Sequence, residues 1–560
     1  MFNQIFPYLF VYLSLVISII GFGSSLLRIL EKKNVIYNIN IGYIGLVGIF
    51  FCILYSYFTS YFFPHSQIHN SIFFFIGLIF FFNNLKFLKK EEINFLIFFF
   101  LIFFIGILNI KNHDDFSYYH FPYTFNLTQF SHFIGLGNFN HGFKTPSSIF
   151  YLNSLFYLPY FKYNLFNFGA ILIFGFSLIV LFLNIKNFNK KEIDSTFFLN
   201  LFSFMFIIVF FYRISEHGTD RSAQILILLF FIEILNFHRN YNNFKYSLIK
   251  LITLISIIIS LKSFYILYLI FGLVILYQLY VDKKNYLILK IFKSVYFLLF
   301  LSTIFLIFFT SFLNTGCLIF PVVQSCFENY IWSIPNETVN YLNDWYEQWS
   351  KGGASPNHRV ENPKNFIEQF NWVNQWINIY FFTKVSDLLG GLILLSIIIA
   401  FSLGKKKKID KFKIKKIEIL LFCTLLILFF EWFYNHPALR YGGYVLFVLI
   451  IAYPISIILE KYKLSKTIIS KRAKSLIIIG CLIFVSRNID RLINENEKYG
   501  YNPIRNVFYD ISNKDFREFD RINNAITDYN NCLSENNLKN CFNENDLKVK
   551  KYLNTYIFYK

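Results

Sequence analysis

The chain has 560 residues, of which 56% are hydrophobic and 22% aromatic, and its mean hydropathy is +0.47. Apolar runs long enough to cross a bilayer recur along it, so the composition excludes a soluble globular protein and indicates an integral membrane protein. The formal net charge is +20. It does not indicate a nucleic-acid partner, because lysine and arginine fall mostly in short connectors between apolar runs, as the positive-inside rule describes.

Hydropathy predicts about fourteen membrane-spanning helices and no cleavable signal peptide. The run from Leu248 to Tyr280 is too long for one untilted span, and we divide it at Lys262. Basic connectors alternate with non-basic ones, which predicts that both termini and the two long loops lie on the external face. The predicted spans lie near residues 6–27, 41–63, 71–86, 93–110, 164–184, 196–212, 222–237, 248–280 (two spans), 290–312, 387–403, 417–433, 444–459 and 475–486.

This pattern divides the chain into six parts. They are N-terminal transmembrane helices (1–110), an external loop of catalytic type (111–163), central transmembrane helices (164–313), a large external loop (314–386), C-terminal transmembrane helices (387–486) and a small external tail (487–560).

Cysteine pairs occur in two of the external parts. Cys317 and Cys326 lie in the large loop, and Cys532 and Cys541 lie in the tail. Local pairs of this kind suit an oxidising compartment, so we predict two disulfides, with four unrelated thiols as the alternative.

The loop at 111–163 opens on the adjacent carboxylates Asp114 and Asp115. Charged groups beside the hydrocarbon region are costly to desolvate and suggest function. The plainer alternative is that one of them caps a helix beginning at Phe116. His113 and His120 flank the pair and add proton-transfer groups, and neighbouring tyrosines add rings that can stack on sugars.

An acidic pair at the start of an early external loop, followed by interfacial helices, resembles the GT-C glycosyltransferases. That superfamily includes protein mannosyltransferases, aminoarabinose transferases and the catalytic subunits of oligosaccharyltransferase. The resemblance implies an all-α, GT-C-like polytopic bundle with amphipathic interfacial helices in its external loops, and a polyprenyl-phosphate sugar as donor. It also implies that Asp114 or Asp115 acts as catalytic base or metal-linked acid. The pair follows about four predicted spans, whereas the family usually has it after the first.

Four other external stretches carry chemically active side chains. We expect Arg440 to bind the donor phosphate, with Arg221 or Lys262 as a second cation, because guanidinium and ammonium groups suit phosphate. Each stretch also has a plainer interpretation as a turn, a snorkelling lysine, an interface marker or a lid. The substrate-binding candidates are His113, His120, Glu216, His217, Asp220, Trp345, Trp349, Lys351, His358, Arg359, His436 and Tyr441.

No zinc motif, P-loop or dinucleotide fingerprint is recognisable, which disfavours nucleotide-driven chemistry. No cofactor is firmly indicated; a divalent ion on Asp114 and Asp115 would be Mg²⁺ or Mn²⁺ rather than zinc. The favoured hypothesis is an inverting glycosyltransferase of a bacterial inner membrane, acting at the outer face on a glycan, lipid or protein acceptor. The alternatives are a polymerase or ligase of lipid-linked glycans, and a transporter or flippase of lipid-linked sugars.

Overall fold

The computed structural model describes residues 4–31, 34–188, 193–239, 241–354, 360–404, 415–534, 547–552 and 555–560. Almost all regular structure in these ranges is helical. The helices of the first half are α1 (Ile5–Leu30), α2 (Asn34–Asn38), α3 (Ile41–Ser60), α4 (Gln67–Asn84), α5 (Lys90–Phe104), α6 (Phe121–Gln129), α7 (Ser148–Ser154), α8 (Phe168–Asn187), α9 (Ser195–Phe210), α10 (Asp220–Arg239) and α11 (Phe244–Leu261).

The second half continues the helical pattern and ends in an antiparallel hairpin. Its helices are α12 (Ile270–Val281), α13 (Asn285–Phe292), α14 (Val295–Thr315), α15 (Asn336–Lys351), α16 (Pro363–Ile367), α17 (Val373–Trp376), α18 (Ser386–Leu403), α19 (Lys416–Asn435), α20 (Gly443–Lys461), α21 (Lys466–Tyr499) and α22 (Asn513–Ser534), and its strands are β1 (Lys548–Tyr552) and β2 (Thr555–Tyr559).

Eleven helical segments in the described part of the chain are long and apolar enough to cross a membrane. They are Ile5–Leu30, Ile41–Ser60, Gln67–Phe87, Tyr163–Asn187, Asp220–Arg239, Phe244–Leu261, Ser263–Val281, Val295–Thr315, Val373–Leu403, Lys416–Asn435 and Gly443–Lys461. The prediction of a multi-pass helical membrane protein is therefore confirmed. The other three predicted spans fall on α5 and α9, which have 15 and 16 residues, and on the middle of α21, whose two ends carry many charges.

The long apolar run is divided at Lys262, as predicted. α11 ends at Leu261, Lys262 adopts an extended backbone conformation, and a 3₁₀ segment from Ser263 to Leu269 leads into α12. The extended residue interrupts the helical hydrogen bonds, so the ammonium group stands at the end of one span instead of inside a continuous helix.

α10 lies in the centre of the bundle. In the most apolar stretch of α10, 83% of the residues are buried, against 28% in α14 and in α19. α14 and α19 are apolar on faces that the protein leaves uncovered, as lipid-facing helices are.

Two ion pairs join α10 and α11 near their opposite ends. Asp220 pairs with Lys262, and Glu233 lies 3.4 Å from Lys250. The two pairs are 13 residues apart on α10 (233 − 220) and 12 apart on α11 (262 − 250). Two antiparallel helices in a single register have nearly equal separations between successive contacts. Both ion pairs are therefore compatible with the same alignment of α10 and α11.

Contacts between connectors separate into two groups at the two ends of the bundle. Lys245 pairs with Glu31, and Arg239 lies 3.2 Å from Glu460, and all four residues belong to connectors that the sequence predicts on the inner face. The connectors predicted on the outer face meet one another around Asp115. The membrane side of each group remains a prediction.

The C-terminal tail packs against the loop that contains the acidic pair. The ring of Phe516 lies 5.0 Å from that of Phe121. Asp515 accepts a hydrogen bond from the hydroxyl group of Ser117. The strand β2 bonds to the same loop, where Ile134 donates its N–H to the Tyr556 carbonyl at 3.1 Å. The tail thus covers one side of the loop, which the sequence had not indicated.

The disulfide predicted for the large loop is present between Cys317 and Cys326. Cys532 in the tail is also disulfide-bonded, whereas its predicted partner Cys541 lies outside the described residues. The thiols of Cys52, Cys423 and Cys481 are free.

Candidate functional site

An ionic network joins the acidic-pair loop to three other predicted external stretches. Nη2 of Arg440 lies 2.9 Å from Oδ2 of Asp115, and Nε of the same guanidinium lies 2.8 Å from Oδ2 of Asp220. The other oxygen of Asp220 accepts a hydrogen bond from the ammonium group of Lys262. The network thus contains two carboxylates and two cations. Its first and last members, Asp115 and Arg440, are more than 300 residues apart in the sequence.

Each member of the network stands at the end of a regular element. Asp220 is the first residue of α10, where its negative charge is favoured by the helix dipole. Lys262 terminates α11. Arg440 lies in a 3₁₀ turn between α19 and α20, and Gln224 fixes that turn by donating a hydrogen bond to the Arg440 carbonyl at 3.0 Å. The turn continues into Gly442 at φ +108°, a backbone conformation that favours glycine.

Asp115 is used as an ion-pair partner and not as a helix cap. It stands at the N-cap position of a π-helical turn from Phe116 to His120, but its side chain makes no capping hydrogen bond. Its carboxylate instead contacts Arg440 and accepts a hydrogen bond from the Tyr119 hydroxyl at 3.3 Å. The plainer alternative from the sequence therefore does not describe Asp115.

Aromatic rings lie against the two cations. The ammonium group of Lys262 is 4.4 Å from the ring centre of Tyr441, and the guanidinium of Arg440 is 5.5 Å from that of Trp349. Such contacts are favourable through the ring quadrupole. His436 packs on the edge of Tyr441. Because Trp349 belongs to α15, the large external loop reaches the turn between α19 and α20 at this point.

The two cations keep unused hydrogen-bond donors. Arg440 has five N–H groups, of which two contact carboxylates, and Lys262 has three, of which one does. Within the described residues, three N–H groups of Arg440 and two of Lys262 therefore have no carboxylate partner. The side chains are 35% and 23% exposed, so an anion from outside can reach them.

The ion pairs set the charge states of the site. Burial by itself would raise the pKa of Asp115, but the positive charge of Arg440 outweighs it and holds that pKa below its ordinary value. Burial would lower the pKa of Arg440, but Asp220 and other neighbours raise it well above its ordinary range. Burial lowers the pKa of Lys262, although Asp220 opposes the shift. At neutral pH Asp115 is ionised and Arg440 is protonated.

A histidine pair lies behind Asp115. The backbone N–H of Asp115 donates to Nδ1 of His113 at 3.1 Å, so His113 in its neutral form carries its proton on Nε2. That nitrogen lies 3.1 Å from Nδ1 of His120 and donates to it. The remaining Nε2–H of His120 has no partner among the described residues. Burial lowers the pKa of both rings, which favours this neutral arrangement.

His120 lines a small cavity. The cavity volume is about 20 Å³, which has room for a single water molecule. Gly218 closes it from the α10 side, where a Cβ atom would stand 3.0 Å from the His120 ring. A side chain at Gly218 would therefore crowd both rings of the histidine pair. The other lining residues include Thr124, Asn153, Asn167 and Ser215.

Some predicted site residues lie apart from the network. Asp114 is exposed. Arg221 lies 3.3 Å from Glu216, so the structure does not bring it to Arg440. His217 is buried and bonded through Nε2 to the Phe211 carbonyl at 2.7 Å. Of the cations proposed for the donor phosphate, the structure unites Arg440 with Lys262 and leaves Arg221 paired with Glu216.

Lys351 has a structural position in the large loop. It is fully buried, pairs with Glu347, and donates to the Ile367 carbonyl at 2.9 Å. Its ammonium group lies between the rings of Trp372 and Tyr434, at 5.2 and 5.1 Å. These contacts fix the C-terminal end of α15. The predicted residues His358 and Arg359 lie outside the described residues.

Two supporting residues could have been found from helical spacing. Tyr119 follows Asp115 by four positions, and Gln224 follows Asp220 by four, which places each on the same helical face as its carboxylate. Sequence reasoning had treated Tyr119 only as a sugar-stacking ring and had not considered Gln224.

Metal binding at the acidic pair stays a prediction. Among the described residues there is no group of three or more His, Cys, Asp or Glu side chains arranged to hold an ion. The carboxylates of Asp114 and Asp115 point to different surroundings, since one is exposed and the other pairs with Arg440.

A family model described as a domain of unknown function, DUF8201, matches residues 6–448, which is well over half of the chain. The chain belongs to the DUF8201 family. The DUF8201 region contains the whole ionic network of Asp115, Asp220, Lys262 and Arg440, and it ends within α20, before α21 and the tail. No curated protein and no solved structure matches the chain.

Proposed function

We propose that the protein is an inverting membrane glycosyltransferase that moves a sugar from a polyprenyl-phosphate donor to an acceptor at the outer face of a bacterial inner membrane. The observation that carries this proposal is the 2.9 Å contact between Asp115 and Arg440. It places a carboxylate suited to accept a proton beside a guanidinium suited to bind a phosphate. Transfer from a sugar phosphate requires both groups at one reacting centre.

Arg440 and Lys262 would hold the donor phosphate. Their unused N–H groups can donate to its oxygens while Asp220 continues to hold both cations in place. As the bond between the anomeric carbon and the phosphate oxygen breaks, its electron pair stays on the phosphate. The two cations then stabilise the charge that develops there, which is the form of electrostatic catalysis that lowers barriers most.

Asp115 would act as the base. The acceptor oxygen forms a bond to the anomeric carbon from the face opposite the departing phosphate, which inverts the configuration, and its proton passes to the Asp115 carboxylate. Arg440 lowers the pKa of Asp115 in the unoccupied site, which keeps the carboxylate ionised. A phosphate on Arg440 offsets that positive charge, so donor binding raises the basicity of Asp115 when the base is needed.

The second candidate function is transport of a lipid-linked sugar. The break between α11 and α12 at Lys262 favours it, because transporters use interrupted helices at their binding sites. In a transporter these groups usually lie near the middle of the membrane. Here Lys262 pairs with the first residue of α10, so the charged groups meet where the spans end. A polymerase or ligase of lipid-linked glycans would use the same phosphate-binding groups.

The test is a transfer assay in membranes from a host that lacks the activity, with labelled polyprenyl-phosphate sugars supplied. Glycosyltransferase function predicts that label leaves the carrier and becomes covalently attached to another molecule only when the protein is present. If labelled carrier crosses the bilayer but no label leaves it, the protein is a transporter and the proposal fails.

A further inference from the structure

Four aromatic rings form a surface beside Asp115 that the ionic network does not use. We call it the acceptor platform, and it consists of Tyr118, His141, Trp345 and Tyr346. His141 lies at its centre, with ring centres 5.4 Å from Tyr118, 5.8 Å from Trp345 and 6.1 Å from Tyr346. Tyr118 is 40% exposed and the other three are partly exposed. The rings come from two external loops and can be reached from outside.

The acceptor platform is fixed relative to the carboxylate of Asp115. Tyr118 precedes Tyr119, whose hydroxyl group donates to that carboxylate. His141 precedes Gly142, which packs so closely on the Tyr119 ring that a Cβ atom would stand 2.3 Å from it. Tyr118 and His141 are therefore both held next to Tyr119, the residue that bonds to Asp115.

Polar groups surround the rings. Nδ1 of His141 is buried beneath the rings and has no hydrogen-bond partner in the part of the chain that the structure describes. The tail contributes Arg517 and Arg521, which are 64% and 50% exposed and share the buried carboxylate of Glu518. The start of α22, which carries them, lies against the segment of Tyr118, because Asp515 accepts a hydrogen bond from the hydroxyl group of the preceding residue Ser117. Burial and the charge of Glu518 raise the pKa of the Tyr118 hydroxyl.

Flat rings with charged and polar donors at their edge suit a carbohydrate. A sugar ring offers C–H groups on its face and hydroxyl groups around its rim, so it contacts both features at once. A lipid acceptor would instead need an apolar surface without charged groups around it. The platform therefore matches a glycan better than a lipid.

We propose that the acceptor platform binds a sugar ring of a glycan acceptor and presents its hydroxyl group to Asp115. This inference rests on the proposed glycosyltransferase function and selects the glycan from the three acceptor classes. It also gives the tail a role. Arg517 and Arg521 lie outside the region that defines the family, so part of the acceptor site is built by residues after position 448.

The test uses the full-length protein in lipid nanodiscs on an array of oligosaccharides, with no donor present. The wild type is expected to bind a subset of the glycans. Trp345→Ala is expected to weaken that binding at least tenfold, and Trp345→Phe is expected to restore most of it because it returns a ring. Phe370→Ala is the matched control, since Phe370 is an exposed ring of the same loop that packs on Tyr434 instead.

Kinetics with the glycan found on the array give a second readout. Trp345→Ala is expected to raise the acceptor KM at least tenfold and to leave the donor KM and kcat unchanged. The inference is overturned if the wild type binds no glycan, or if Trp345→Ala binds as tightly as the wild type. A protein that binds glycans through the platform but transfers no label would overturn only the glycosyltransferase proposal, so the two failures are distinguishable.

Discussion

Asp220 binds Arg440 through one carboxylate oxygen, at 2.8 Å from Nε, and Lys262 through the other. Its side chain is only 11% exposed, whereas the two cations are more open. A single buried carboxylate therefore determines where both cations stand. Asp220 is a positioning residue, because its two oxygens are already occupied by protein groups.

Asp220→Asn should separate the two cations and impair donor binding. We expect the donor KM to rise at least tenfold and unfolding to occur at a lower temperature, because removing one partner of a buried pair costs about 3–5 kcal/mol. Steady-state kinetics and thermal unfolding in nanodiscs measure both. Glu216→Gln breaks the neighbouring, more exposed pairs with Arg213 and Arg221 and should cost about 1 kcal/mol or less for each. Equal effects of the two substitutions would argue against this role for Asp220.

Tyr119→Phe should lower kcat without changing the donor KM. The substitution keeps the ring against Gly142 and removes only the hydroxyl group that donates to Asp115. A hydrogen bond to a charged group is worth about 1.5–3 kcal/mol, so a decrease in rate of about tenfold or more is expected. An unchanged kcat would show that this hydrogen bond does not help to place the base.

The positive charge of Arg440 should be visible in the pH dependence of the reaction. Arg440 holds the pKa of Asp115 below its ordinary value of 3.8, so the ion pair is present above that pH and is lost as the pH falls through the depressed value. Arg440→Gln removes the charge while burial remains, and the acid limb of kcat/KM should then move to higher pH. A limb that stays in place or moves to lower pH would contradict the assignment of Asp115 as the base.

Glu233 and Lys250 should compensate each other's charge between α10 and α11. Glu233 is almost fully buried and also accepts a hydrogen bond from Tyr43 at 2.8 Å. Lys250→Met would leave that carboxylate without its cation, at an expected cost of about 3–5 kcal/mol in the free energy of unfolding, whereas replacing both partners by apolar residues should recover most of the loss. Thermal unfolding of the single and double variants measures this. A double variant no more stable than Lys250→Met would contradict it.

Much of the fold followed from local sequence features, whereas the site depended on long-range packing. Runs of apolar residues give span lengths directly, and Lys262 marked the break between two spans because a charge interrupts an apolar pattern. Alternating connectors placed Asp115 and Arg440 on one predicted face. Nothing local distinguished Asp220, which enters the network, from Arg221, which pairs with Glu216, because one position along a helix turns a side chain by about 100°.

Other features were beyond sequence reasoning for a related reason. Lys351 was predicted to bind substrate, but its burial between Trp372 and Tyr434 depends on rings from two distant segments. The polar tail gave no sign that Phe516 would pack against Phe121, because an amphipathic helix does not specify which surface it covers.

The most direct test of the central claim compares Asp115→Asn with Asp114→Asn in the transfer assay with labelled polyprenyl-phosphate sugar. The two substitutions make the same chemical change at adjacent positions, but only Asp115 contacts Arg440, and Asp114 is exposed. Asp115→Asn is expected to lower transfer at least 100-fold at wild-type protein abundance, whereas Asp114→Asn is expected to keep most of it. Full transfer by Asp115→Asn would contradict the assignment of Asp115 as the catalytic base.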